Sequence, residues 1–130
     1  MGRRQVQLKR AYERASSRDG TRVLVERLWP RGVRKADLRL DAWLKDVAPS
    51  GELRRWFGHD PDRFPAFARR YRTELRRPPA AQALAELIRR ACEGPLTLVY
   101  AAHDEVHNGA VILAAEIERG LERQAHEQRP

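Results

Sequence analysis

Apolar positions recur along this chain with two periods, and the switch between them predicts the order of elements. Val6 and Leu8 alternate with polar neighbours across residues 5–10, the pattern of a half-buried strand. The run Val23-Leu-Val25 within residues 22–28 predicts a second strand, stopped by Pro30 and Gly32. Asp19-Gly20 carries turn chemistry and suits a hairpin between these two strands. Residues 41–47 then read as a short helix closed by Pro49, and residues 52–57 as another with Ser50 as its N-cap. Asp60-Pro61 opens a longer helix, with Pro65 delaying its regular start. Phe64, Phe67, Ala68, Tyr71 and Leu75 form its apolar stripe, and Arg69, Arg70, Arg72, Arg76 and Arg77 its other face.

Pro78-Pro79 ends that helix. Ala83, Leu84, Leu87, Ile88 and Ala91 mark the next, up to Gly94-Pro95. Residues 96–101 form a continuous apolar strand, as expected where both faces are covered. Ala110, Leu113, Ala114, Ile117 and Leu121 give the inner stripe of a last helix, capped by Asp104 or Asn108, with a tail that frays after Arg123. Two apolar strands joined by a long helical crossover favour parallel pairing. The expected fold is a small single α/β domain, 1–130. Its short, largely parallel sheet is covered by helices, with a helical insertion between the second and third strands.

Composition narrows the class. No apolar run approaches the length that crosses a bilayer, and no apolar segment follows the basic Met-Gly-Arg-Arg-Gln start. The expectation is a cytoplasmic protein without a membrane partner. The one cysteine, Cys92, excludes an intramolecular disulfide and reads as packing in an Ala-rich helix. Of the net charge of +8, residues 1–34 carry +7. That asymmetry predicts either a basic face for a polyanion, DNA or another phosphate-bearing ligand, or an Arg-rich surface with no such role.

Ligands of open α/β sheets sit outside the carboxyl ends of the strands. Here those ends carry residues 27–31 and 102–108. Arg27 and Arg31 suit phosphate or carboxylate binding; their alternative is ion pairing with Glu26, Asp41 or Asp46. Strand alternation places Arg27 on the row of Val23 and Val25, opposite Glu26. Trp29 and Trp43 can stack a base or serve as core. Tyr12 and Tyr100 have polar tips on apolar bodies, and Tyr100 ends the core strand at the expected rim. His107 and Asn108 sit where free helix amides attract anions. His103 and His107 are four apart but lack an evident third metal ligand. Asp104 is either a cap or a carboxylate that orients water. Asp46 is either an ion-pair partner or a positioned carboxylate. No cofactor is implied.

Three strings carry a family resemblance: Arg-Val-Leu-Val-Glu-Arg-Leu-Trp-Pro-Arg-Gly (22–32), Asp-Ala-Trp-Leu-Lys-Asp-Val-Ala-Pro-Ser (41–50), and Leu-Thr-Leu-Val-Tyr-Ala-Ala-His-Asp-Glu-Val-His-Asn (96–108). They resemble the short, YeaO-like branch of the DUF488 family over about residues 5–122. The resemblance implies a small cytoplasmic bacterial α/β protein. Some family members are linked to excision of N3-alkylated adenine from DNA. On that implication the chain would be a glycosylase that flips the base, with Asp104 or Asp46 as the catalytic carboxylate. Longer relatives have Cys-His-Arg where this chain has Asn108-Gly109-Ala110, so thiol chemistry does not carry over. The alternative class is a non-catalytic nucleotide- or anion-binding module built on Arg27 and Arg31.

Overall fold

The computed structural model describes residues 6–127. Four strands form one fully parallel sheet in the order β1-β4-β2-β3: β1 (Val6–Arg10), β2 (Thr21–Leu24), β3 (Ala42–Trp43) and β4 (Leu96–Tyr100). The helices are α1 (Lys35–Leu38), α2 (Gly51–Phe57), α3 (Phe64–Glu74), α4 (Ala80–Glu93) and α5 (Gly109–Glu127). The architecture is α/β, as the strand and helix periods predict.

The sheet is organised around β4, whose five residues are all buried. Val6 pairs with Leu96 on one side of it and Thr21 pairs with Leu96 on the other. The expected hairpin between β1 and β2 is therefore absent, because β4 lies between them and all three run parallel. The Asp-Gly signal serves a different turn. Ser16 caps a 3-10 turn, Ser17–Asp19, in a reciprocal capping box. Gly20 then turns the chain at φ 65° with its α-carbon against the Pro95 carbonyl, a position with no room for a side chain.

Two clusters cover the sheet's two faces. Val6, Val23, Leu96, Leu98 and Tyr100 pack with the inner stripes of α2–α5. Leu24 and Val99 pack on the other side with Ala11, Leu38 of α1, Trp29 and Trp43. The stripes read for α3, α4 and α5 all lie in the first cluster. Arg72 of the polar face pairs with Glu116 of α5 at 3.4 Å.

Other boundaries differ from the sequence reading. Residues 41–47 are not a helix: they form β3, which adds an edge to β2, and a 3-10 turn, Lys45–Val47. The insertion thus contains a strand as well as helices. The short helix α1 has no apolar period to announce it. α5 runs to Glu127. Ser50 does cap α2, accepting from the Leu53 amide at 3.1 Å. Asp60-Pro61 opens a 3-10 turn before α3, so the delay expected from Pro65 is present. Cys92 is exposed, not packed, and its thiol donates to Gln124 at 2.8 Å.

Part of the N-terminal charge excess is committed inside the fold. Lys9 and Arg22 both bind the buried carboxylate of Asp19, at 2.9 and 2.6 Å. Arg10 donates to the carbonyls of Ala101 and Ala102, and Arg27 to those of Ala48 and Pro49. Among the described residues, these four cations of the N-terminal third are spent on internal partners, and Arg34 pairs with Asp37 at 3.3 Å on the surface. Among the described residues, no helix is long and apolar enough to cross a membrane.

Candidate functional site

β2 and β4 end side by side. The Val25 amide donates to Val99 O at 3.1 Å, one residue beyond β2. There the chain leaves the sheet, and the Ala101 amide bonds the Glu26 carboxylate at 2.9 Å in place of a further backbone pair. The Trp43 indole N–H donates to the Glu26 carbonyl at 2.6 Å. Glu26 is thus fixed at both its main chain and its side chain.

A cavity of about 650 Å³ opens above these strand ends, between them, α2 and the start of α5. Its apolar wall includes Val25, Phe57, Phe67 and Tyr71; Glu26, Tyr100, Asp104 and His107 supply polar groups. Arg54, Arg55, His59 and His103 line it as well. A concave, largely apolar site with a few convergent polar groups is the usual form of a small-molecule site.

Tyr100 lines the cavity and is 4% exposed, and its hydroxyl has no hydrogen-bond partner among the described residues. Burial, with help from the charges of Glu105 and Glu13, pushes its pKa up from the ordinary value. The phenol therefore stays protonated at neutral pH and can donate. Arg54 and Arg55 are exposed on α2, with no carboxylate partner among the described residues. They leave two uncommitted guanidiniums on the cavity wall. Gly109 and Ala110, the first residues of α5, line the same cavity and bring the amide-rich end of a 19-residue helix to it.

Asp104 faces the cavity but is chemically occupied. Its Oδ1 accepts from the Val106 and His107 amides, both at 2.9 Å, and its Oδ2 lies 2.9 Å from His107 Nδ1. The amides of His107 and Val106, then the His107 ring, hold its pKa down at about 2. Such a group is a weak base. Because a carboxylate only accepts, His107 carries its proton on Nδ1, and its ring also meets Phe64 edge-on at 5.2 Å. The cap of α5 is Asn108: its Oδ1 accepts from the Val111 amide at 3.0 Å while its Nδ2 donates to Asp104 O at 2.8 Å. Asp104 caps the preceding loop instead.

Several predicted site residues fall elsewhere. Trp29 and Trp43 pack edge-on at 5.4 Å in the cluster on the opposite sheet face. Their indole N–H groups bond Val33 O and Glu26 O, and Lys45 covers the Trp43 ring at 4.2 Å. Neither ring lines the cavity. Arg27 is held by two backbone carbonyls, with a buried, unpaired Nε, and is not a cavity-lining residue. Arg31 is exposed, and its carbonyl accepts from the Tyr12 hydroxyl at 3.2 Å. Tyr12 lies under the Arg10 guanidinium, away from the cavity lining. Asp46 is exposed in its 3-10 turn and also lies outside the lining. Of the predicted residues, Tyr100, Asp104, His107 and Asn108 come together. Glu26, Arg54, Arg55 and His59 were missed. Glu26 had a readable signal, as the one carboxylate in an apolar run. Arg54, Arg55 and His59 had none, since only the docking of α2 brings them to the strand ends. Among the described residues, no group of three or more His, Cys, Asp or Glu is placed to hold a metal ion.

The family profile described as the inactive DUF488-N3 subclade matches residues 5–130. The chain belongs to the DUF488 family. This DUF488 protein is 41% identical over 110 residues to the uncharacterized protein YeaO of Escherichia coli K12, a match covering 84% of this chain and 93% of that one. It is 46% identical over 109 residues to uncharacterized proteins of Mycobacterium tuberculosis and Mycobacterium bovis, covering 84% of this chain and 90% of each of those. No solved structure gives a significant match to this DUF488 protein.

Proposed function

We propose that this DUF488 protein is a non-catalytic binding module that holds a small phosphate-bearing ligand, of the nucleotide class, in the cavity at the ends of β2 and β4. The observation that carries the reading is the pair of uncommitted cations Arg54 and Arg55 on the wall of a cavity that also takes in the start of α5. Guanidiniums and helix-start amides both suit phosphate oxygens. Tyr100, which lines the same cavity and whose hydroxyl has no partner among the described residues, adds a neutral donor. The matching subclade is itself described as inactive.

Excision of N3-alkylated adenine is the competing reading. It loses its expected stacking rings to the opposite face of the sheet, and Asp104 to backbone amides. It retains one carboxylate in the cavity, that of Glu26. Methylated DNA incubated with the protein and assayed for free 3-methyladenine separates the two. Release above a heat-only control would assign the protein to the glycosylase class.

The binding reading is tested by thermal shift with inorganic phosphate and with nucleoside monophosphates. The melting temperature should rise with concentration, corresponding to about 2.7 kcal/mol at a hundred times Kd. The double variant Arg54→Ala, Arg55→Ala should melt like the wild type alone and lose most of the shift. No shift at millimolar phosphate or nucleotide, or a full shift in the double variant, would refute the site.

A further inference from the structure

We infer that the ligand of this cavity is bipolar: besides the phosphate held by Arg54 and Arg55 it carries an amino group, and Glu26 is the residue that recognises it. The inference rests on the phosphate site proposed above and adds the other end of its ligand. Glu26 lines the cavity from just beyond β2. It is half-buried, and the Ala101 amide fixes its carboxylate by donating to Oε2 at 2.9 Å. Oε1 accepts from no group among the described residues, and no cation there forms an ion pair with Glu26. Arg27, next in the chain, turns to the carbonyls of Ala48 and Pro49 instead. The charge of Glu26 is felt on the inner wall of the cavity. There the Tyr71 hydroxyl has its pKa pushed up, first by burial and next by Glu26. A half-buried carboxylate without a counter-charge favours a ligand that brings one.

Opposite charges thus share one cavity without meeting. Arg54 and Arg55 line it from α2, and neither pairs with Glu26 or with any other carboxylate among the described residues. Where the fold does bring a guanidinium to a buried carboxylate, at Arg22 and Asp19, the pair closes to 2.6 Å. In the cavity the gap is left for a ligand to span. The apolar wall of Val25, Phe57 and Phe67 suits the carbon skeleton that joins a phosphate to an ammonium group. The other carboxylate of the cavity, Asp104, is already committed: its oxygens are taken by the Val106 and His107 amides and by the His107 ring.

Isothermal titration tests this with aminoethyl, aminobutyl and aminohexyl phosphates, each beside the alkyl phosphate of the same length, and with inorganic phosphate. Within each pair the anion is the same and only the ammonium differs. At the length that spans the two poles, the wild type should bind the amine at least about tenfold more tightly than its alkyl match, the discrimination that a hydrogen bond to a charged group gives. Glu26→Gln keeps an oxygen for the Ala101 amide, so it should melt like the wild type. It should bring that ratio to within about twofold and bind the alkyl phosphates and inorganic phosphate no more weakly. Equal affinity within every pair in the wild type overturns the inference while leaving the phosphate site intact. So does a preference for the amine that survives in Glu26→Gln. Failure of every probe to bind, inorganic phosphate included, overturns the phosphate site and the inference with it.

Discussion

Replacing Asp19 with alanine removes one carboxylate on which three groups of the N-terminal region depend. Its oxygens accept from Lys9 at 2.9 Å, Arg22 at 2.6 Å and the Ser16 amide at 3.0 Å. The Asp19 and Arg22 side chains are only 3% and 4% exposed, so the pair is desolvated. Breaking one partner of such a pair costs about 3–5 kcal/mol, because the remaining charge stays buried. Arg22 keeps two bonds to Leu38 O, at 3.0 and 2.8 Å, and Lys9 is exposed enough to turn to water. The low end of the range applies, about 3 kcal/mol, which for a chain of this size lowers Tm by about 10 °C. Urea unfolding followed by circular dichroism measures it, with Asp19→Ala, Arg22→Leu and the double variant compared. The double variant should cost at least about 1.5 kcal/mol less than the sum of the singles. A loss below about 1 kcal/mol for Asp19→Ala, or additivity within about 0.5 kcal/mol, would refute the claim of a desolvated pair.

The same pair sets a pH dependence. Burial alone would raise the Asp19 pKa, but hydrogen bonds from Lys9, the Ser16 amide and Arg22 more than reverse this and hold it below the ordinary value. A depressed carboxylate pKa stabilises the fold above the unfolded value of about 3.9, and that stabilisation is lost as pH falls through the folded value. The stability gap between wild type and Asp19→Ala should therefore hold from neutral pH down to about pH 4 and narrow only below it.

Other outcomes follow from single residues. Tyr100→Phe removes a hydroxyl with no partner among the described residues, so its melting temperature should match the wild type within about 0.5 kcal/mol of stability while its response to nucleotide falls. Gly20→Ala forces a side chain against the Pro95 carbonyl at a positive φ and should cost more than about 1 kcal/mol in urea unfolding. Asp104 is held at about pKa 2, so its contribution to stability should persist to about pH 4 and vanish as pH falls through 2. In acid titrations monitored by melting, Asp104→Asn should converge with the wild type only at the bottom of that window.

The sequence by itself determined the local periods. It placed β1, β4 and the stripes of α3, α4 and α5, because burying an apolar row of period two or three to four is a local property of the chain. It also placed the cap at Ser50 and narrowed that of α5 to Asp104 or Asn108, because a cap's partner lies within three residues. The family signature was legible for the same reason, since its strings are contiguous. Tertiary structure decided the rest. Only strand order could insert β4 between β1 and β2, turning an expected hairpin into two parallel pairings. Only the early exit of β2 at Leu24 could bring Glu26 into the cavity and leave Arg27 with backbone carbonyls. Trp29 and Trp43 went to the second face because α1 and the following loop left an apolar surface there for them to cover. A site assembled from three separate segments carries no one-dimensional period. Its cations, on α2, are fixed by how that helix packs against α3, a contact that neither segment announces alone.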